Sequence, residues 1–225
     1  LTKIAESKGE AFYRGELADA MDKYARETGG ALRMEDLTTH KADWVDPIGL
    51  SYRGTTLHEI PPSGQGIAAC MALGILENFE LAGLDCDGPE VAHLRIEAMK
   101  LAFADIYRYV ADPRFMEVTP QQMLDKTYLK SRAKLIDPKK AQDFGPGTPK
   151  ESGTIYLGTA DESGMMVSYI QSNFAGFGSG VVVPGTGLCL NNFLYWADVN
   201  PKSPNRVKPG DQLPMCMAPS ISTRD

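Results

Sequence analysis

Gly145-Pro146-Gly147-Thr148-Pro149-Lys150-Glu151-Ser152-Gly153-Thr154-Ile155-Tyr156-Leu157 divides the chain into two characters. Before it the patterns are mostly helical; after it they are β. Residues 138–153 are dense in Lys, Gly and Pro and, taken alone, read as a linker. Thr154 to Ala160 then reads as a strand, Asp161-Glu162-Ser163-Gly164 as a turn, and Met166 to Ser172 as a second strand. Helices first and antiparallel hairpins after predict an α+β layered domain.

The junction also carries a chemical reading. A threonine hydroxyl becomes a competent nucleophile without histidine when its own free α-amino group serves as the base. That amine has an ordinary pKa of about 8, near what a general base needs at neutral pH. Freeing it requires cutting the Gly153–Thr154 bond. Gly153 leaves room for the Thr154 hydroxyl to attack its carbonyl, and a loop of this composition lets the new end depart. On these residues alone, a β-branched threonine opening a strand is the simpler account.

Other chemistries fail on their spacing. The sequence has no GxSxG elbow, no HExxH and no GxxxxGK loop, and none of its three histidines has a Ser or Cys neighbour suggesting a triad. A net charge of −6 argues against a nucleic-acid surface, since phosphate tracking needs clustered Lys and Arg. The basic cluster Lys134, Lys139 and Lys140 is interrupted by Asp137 and reads as a solvated face. No apolar run approaches the ~20 residues that span a bilayer. Cys70, Cys86, Cys189 and Cys216 form no CxxC pair, so zinc-ribbon and thioredoxin readings fail on spacing; Cys70 and Cys189, in apolar company, read as small core residues, and a reducing, cytoplasmic setting is favoured over an oxidising one. No cofactor or metal is implied.

Outward from the junction, residues 1–28 read as two short helices broken near Gly9 and Gly15 and stopped at Gly29-Gly30. Residues 47–52 and 55–60 form a hairpin pattern around Arg53-Gly54. Ser63-Gly64-Gln65-Gly66 opens a helix over 67–79; the loop is either an anion cradle or, more simply, a turn before a core helix. A long helix is predicted over 89–110, with Leu94, Ala98, Leu101, Ala102 and Ile106 as its buried stripe. His93 and Glu97 lie one turn apart on it; lacking further ligands, they predict a surface or interhelical hydrogen bond rather than a metal pair. Residues 119–137 predict one more helix, and 217–223 a last strand.

Quoted at length, the chain resembles a known family. Ser152-Gly153-Thr154-Ile155-Tyr156-Leu157 through Asp161 and Gly164, then Phe177-Gly178-Ser179-Gly180, then Pro184-Gly185-Thr186-Gly187 through Leu190-Asn191-Asn192, is similar to the processing junction and small-subunit start of gamma-glutamyltransferases. Upstream, Pro61-Pro62-Ser63-Gly64-Gln65-Gly66, Ile75-Leu76-Glu77-Asn78-Phe79 and Glu97-Ala98-Met99-Lys100-Leu101-Ala102-Phe103-Ala104-Asp105 resemble the second half of their large subunit. The resemblance implies a four-layer αββα N-terminal-nucleophile sandwich, incomplete in this chain. It implies one domain made of a large-subunit-like part, 1–153, and a small-subunit-like part, 154–225, with self-cleavage between Gly153 and Thr154.

The family's residue roles carry over unevenly. Thr154 matches the nucleophile, and Ser172 falls where a hydroxyl supports it. Phe174, Phe193 and Trp196 stand where the family binds the α-amino group of a glutamyl substrate, and Met215 and Cys216 where paired serines meet its carboxylate. Aromatic rings cannot replace carboxylate and amide acceptors for an ammonium, and burying that charge unpaired would be costly. The resemblance also implies that an Arg of the large subunit and the Gly pair of the oxyanion hole lie outside this stretch, so the piece by itself is expected to be inactive; losing even one such donor costs about 10²–10³ in rate.

Three readings follow. One is an enzyme acting on a γ-glutamyl amide such as glutathione, with water or an amine as acceptor and two subunits cut from one precursor. The second is a glutaryl- or cephalosporin-type acylase of the same family. The third is an unprocessed, non-catalytic binding protein.

Overall fold

Glycines and capping side chains decide where the elements of this chain begin and end. In the computed structural model, which describes residues 1–144 and 154–224, α1 (Thr2–Glu6), α2 (Glu10–Arg14), α3 (Glu16–Thr28) and α4 (Met34–Thr38) come first. The two helices expected over 1–28 are therefore three. Both glycines act: Gly9 sits at φ 96° and Gly15 is extended, so each breaks the run. Gly29, at φ 74°, ends α3 as its left-handed cap.

Next come β1 (Ile48–Tyr52) and β2 (Thr55–Glu59), then α5 (Ile67–Leu76), α6 (Pro89–Tyr109), α7 (Pro120–Met123) and α8 (Lys126–Ala133). The single helix predicted over 119–137 is two, because the Asp125 carboxylate accepts a hydrogen bond from the Tyr128 N–H and starts a new helix inside the run. Then follow β3 (Thr154–Ala160), β4 (Met166–Ser172), β5 (Val182–Val183), β6 (Leu188–Cys189), a 3-10 turn (Phe193–Trp196) and β7 (Ile221–Arg224). The final strand is shorter than the predicted 217–223 and starts later.

These elements form two compact units. One comprises residues 1–44 and 173–192. In it, Ala18 and Met21 of α3, Leu37 of α4 and Val183 of β5 make a small apolar cluster.

The other unit comprises residues 45–172 and 193–225. Its sheet has the order β1-β2-β7, antiparallel, with Leu50 opposite Leu57 and His58 opposite Ile221. Helix α5 is buried on nearly every side, as expected of a helix with no polar face. The predicted stripe of α6 is buried, with Ala98, Leu101 and Ala102 fully so, and it packs on α5 in one cluster with Leu129 of α8. Gly74 allows the close approach of α8: a Cβ there would lie 2.4 Å from Leu129 Cδ1. Asp105 of α6, buried, receives the Tyr128 hydroxyl at 2.8 Å and pairs with Arg132 at 2.9 Å, which joins α6 to α8 through charge as well as apolar contact.

His93 and Glu97 take different roles. His93 Nε2 lies 2.8 Å from the Asp137 carbonyl oxygen. Glu97 is not at the surface but 1% exposed, held by Lys100 and by the backbone N–H of Gln142 rather than by another helix. Among the described residues, no group of three or more His, Cys, Asp or Glu side chains could hold a metal ion. No helix among them is long and apolar enough to cross a membrane.

Candidate active site

The geometry around Thr154 is set by the turn that closes its hairpin. The Asp161 carboxylate accepts hydrogen bonds from the N–H of Ser163, the hydroxyl of Ser163 and the N–H of Met165. Gly164 takes φ 84°, which a side chain would resist. These contacts draw Asp161 below the ordinary carboxylate range, the Ser163 hydroxyl contributing most. The turn fixes Ala160 opposite Met166, and the ladder then runs pair by pair to Thr154 opposite Ser172. A slip by one residue would turn every side chain to the other face.

At the end of that ladder the Thr154 hydroxyl donates to Ser172 Oγ at 3.1 Å. Thr154 is exposed and Ser172 half-buried. Hydroxyl pairs across strands are ordinary; Ser51 and Thr56 make one at 2.7 Å. Position is what distinguishes Thr154, because it is the first residue of β3. Gly153 lies outside the described residues.

Thiols offer no rival nucleophile in the core. Cys70 is fully buried, and burial, helped by the charge of Glu59, pushes it up to about 12; its thiolate is negligible at neutral pH. Burial pushes Cys216 upward as well.

The predicted pocket residues are divided between the two units. Phe174 is 3% exposed and belongs to the first unit, where its backbone takes φ 77°. Phe193 and Trp196 lie in the 3-10 turn of the second unit. The Trp196 ring stacks on Tyr107 of α6, centroids 6.1 Å apart and planes at 21°. A cavity of 140 Å³ lined by Gln65, Tyr107, Trp196, Asn205 and Pro214 brings this turn to the stretch that includes Met215 and Cys216. Met215 itself is tied to the loop before α5: its N–H donates to the Ser63 carbonyl, and its carbonyl accepts from Gln65, both at 3.1 Å.

That loop is a turn rather than an anion cradle. The N–H groups of Gly64 and Gln65 are spent on backbone carbonyls. The carboxyl of Glu59, 3% exposed, stands against Gly66, so close that a Cβ there would be 2.2 Å from Oε2. Burial raises the Glu59 pKa, and its Oε2 has no hydrogen-bond partner among the described residues. Sequence reasoning passed over this residue; a lone Glu ending a strand gives no signal of burial.

Comparisons with known proteins place the chain in a family. The family model described as Gamma-glutamyltranspeptidase matches residues 1–225. The chain is 33% identical to the "Acylase ACY 1 proenzyme" of Pseudomonas sp. (strain SE83), covering 100% of this chain and 41% of that protein. It is 32% identical to a "Glutathione hydrolase proenzyme" of Escherichia coli (strain K12), covering 100% and 42%. Among solved structures, the cephalosporin acylase from Bacillus halodurans superposes with a TM-score of 0.91 at 45% identity, over 100% of this chain and 40% of that one. The chain thus spans about two fifths of the length of the relatives it matches.

Proposed function

Because the chain belongs to the gamma-glutamyltranspeptidase family and takes the N-terminal-nucleophile fold of its acylase relatives, we propose that the protein cuts itself before Thr154. It then hydrolyses or transfers an acyl group from an amide. The observation that carries this reading is the 3.1 Å bond from the Thr154 hydroxyl to Ser172 at the very start of β3.

The chemistry runs in two stages. First, Thr154 Oγ1 attacks the Gly153 carbonyl carbon, the C–N bond breaks, and the acyl group moves to oxygen as an ester. Water hydrolyses that ester, leaving a carboxylate on the 1–153 part and a free α-amino group on the 154–225 part. In the second stage this amine takes the Thr154 hydroxyl proton as the oxygen attacks a substrate amide. The leaving amine departs protonated, and water or another amine releases the acyl group from Thr154. Ser172 orients the nucleophile and holds its hydroxyl through both stages.

The acyl group follows from the pocket residues. The family resemblance puts Phe174, Phe193 and Trp196 where a γ-glutamyl substrate would need acceptors for its ammonium, and their rings supply none. This supports a glutaryl-like or other N-acyl side chain over the γ-glutamyl group of glutathione, in keeping with the acylase relatives. Assaying the processed full-length protein on matched γ-glutamyl and glutaryl anilides separates the two. Glutaryl turnover should exceed γ-glutamyl turnover, and the reverse order would return the pocket to the glutathione reading.

A further inference from the structure

Glu97 spends its two carboxylate oxygens in an unusual way. Oε1 takes the Lys100 ammonium at 2.7 Å, one turn along α6. Oε2 accepts the backbone N–H of Gln142 at 3.1 Å, from 45 residues further along the chain. Lys100 closes the ring by donating also to the Gln142 carbonyl oxygen, and its ammonium stands 5.3 Å from the centre of the Phe144 ring. The strap is braced internally too, since the Gln142 side chain accepts the Asp137 N–H at 2.7 Å. Both backbone groups of one strap residue are therefore gripped by a carboxylate that is 1% exposed and by its lysine.

A buried ion pair is weak evidence for stability, because apolar packing of similar volume does as well or better. Its distinctive yield is geometry: it dictates where one strand of backbone lies. Here that backbone runs to Phe144, and residues 145–153 lead from it to Thr154. We propose that Glu97, with Lys100, is a positioning residue for self-cleavage: it fixes the upstream end of the segment that must bring the Gly153 carbonyl to the Thr154 hydroxyl. The inference rests on the self-cleavage reading above.

Magnitudes separate the two ways the clamp could act. His93 holds Asp137 independently. Losing Glu97 releases the Gln142 N–H while Asp137 stays held, so the tether before Thr154 retreats at most to residue 137 and the local concentration of its end falls no more than roughly twofold. Orientation of the attacked bond is the larger effect, worth on the order of tenfold or more when a remote contact is lost.

The test follows cleavage of the full-length parent during cell-free synthesis by mass spectrometry. In parallel, amide hydrogen exchange at Gln142 is measured in the uncut Thr154→Ala background. Glu97→Ala should lose protection at Gln142 and lengthen the cleavage half-time about tenfold, Lys100→Met should slow it less, and Lys100→Arg should restore it. If Glu97→Ala does not fold, Lys100→Met decides the question by the same two readings. Cleavage within roughly twofold of the parent while Gln142 is unprotected overturns the inference, as does full protection of Gln142 in the variant. A parent that is never cut removes the self-cleavage reading and the inference with it; a cut parent with an indifferent Glu97→Ala removes the inference alone.

Discussion

Helices α5 and α6 and the β3–β4 hairpin belong to one unit but are built on opposite terms. In α5, eight residues from Ile67 to Leu76 are buried, whereas every residue of β3 is exposed. The helices draw their stability from apolar area removed from water, at roughly 25 cal/mol per Å². The hairpin draws its shape from a backbone ladder and from the side-chain bonds of Asp161. Its exposed Ile155, Leu157, Val167 and Tyr169 contribute little burial. Stability and candidate chemistry are therefore separated: the helical core carries the first, the start of an exposed strand the second.

The largest effect should come from the core. Leu101→Ala removes a fully buried side chain between α6 and its neighbours and should cost about 2–5 kcal/mol in denaturant titration. A cost like that of a surface substitution would break the contrast.

Next in size is a pH effect inside the same unit, where two buried carboxylates pull in opposite directions. Burial raises Glu59 above its ordinary 4.5, so the folded chain binds that proton more tightly than the unfolded one. Its contribution to stability then falls as pH rises from about 4.5 through the folded value. The Arg114 guanidinium, with the N–H groups of Gln212 and Arg114, holds Asp112 well below its ordinary 3.8. Its contribution is present above about 3.8 and is lost as pH falls through the folded value. Glu59→Gln should raise the melting temperature more at about pH 8 than at about pH 4. An equal shift at both would show that Glu59 is ionised as readily in the fold as outside it.

The smallest effect belongs to the hairpin. Ile155→Thr keeps the β-branch on an exposed strand position and should change stability by no more than about 0.5 kcal/mol. A cost near that of Leu101→Ala would mean the hairpin is packed after all.

What could be read from the sequence tracks the range of the interactions. The β3–β4 register was legible because Asp161 and Gly164 set it locally and matched runs flank the turn. The α6 stripe was legible from its 3.6-residue period. The break between α7 and α8 was missed because Asp125 looks like an ordinary helix residue until its carboxylate is seen to cap. For Glu97 the expectation was a surface or interhelical hydrogen bond; its partners are instead a lysine of its own helix and a backbone amide far along the chain, and no local pattern announces the latter pairing. The candidate site was half legible. Pairing of Thr154 with Ser172 follows from register, but their roles rest on family resemblance, and the place of Phe174 in the other unit has no sequence signal.

The central claim is that Thr154 becomes the amino terminus of a separate piece. Mass spectrometry of the full-length parent and of its Thr154→Ala variant tests it most directly. The account predicts two fragments divided between Gly153 and Thr154 in the parent, and one intact chain in the variant. A parent that stays whole, or a variant that is still cut there, would contradict it.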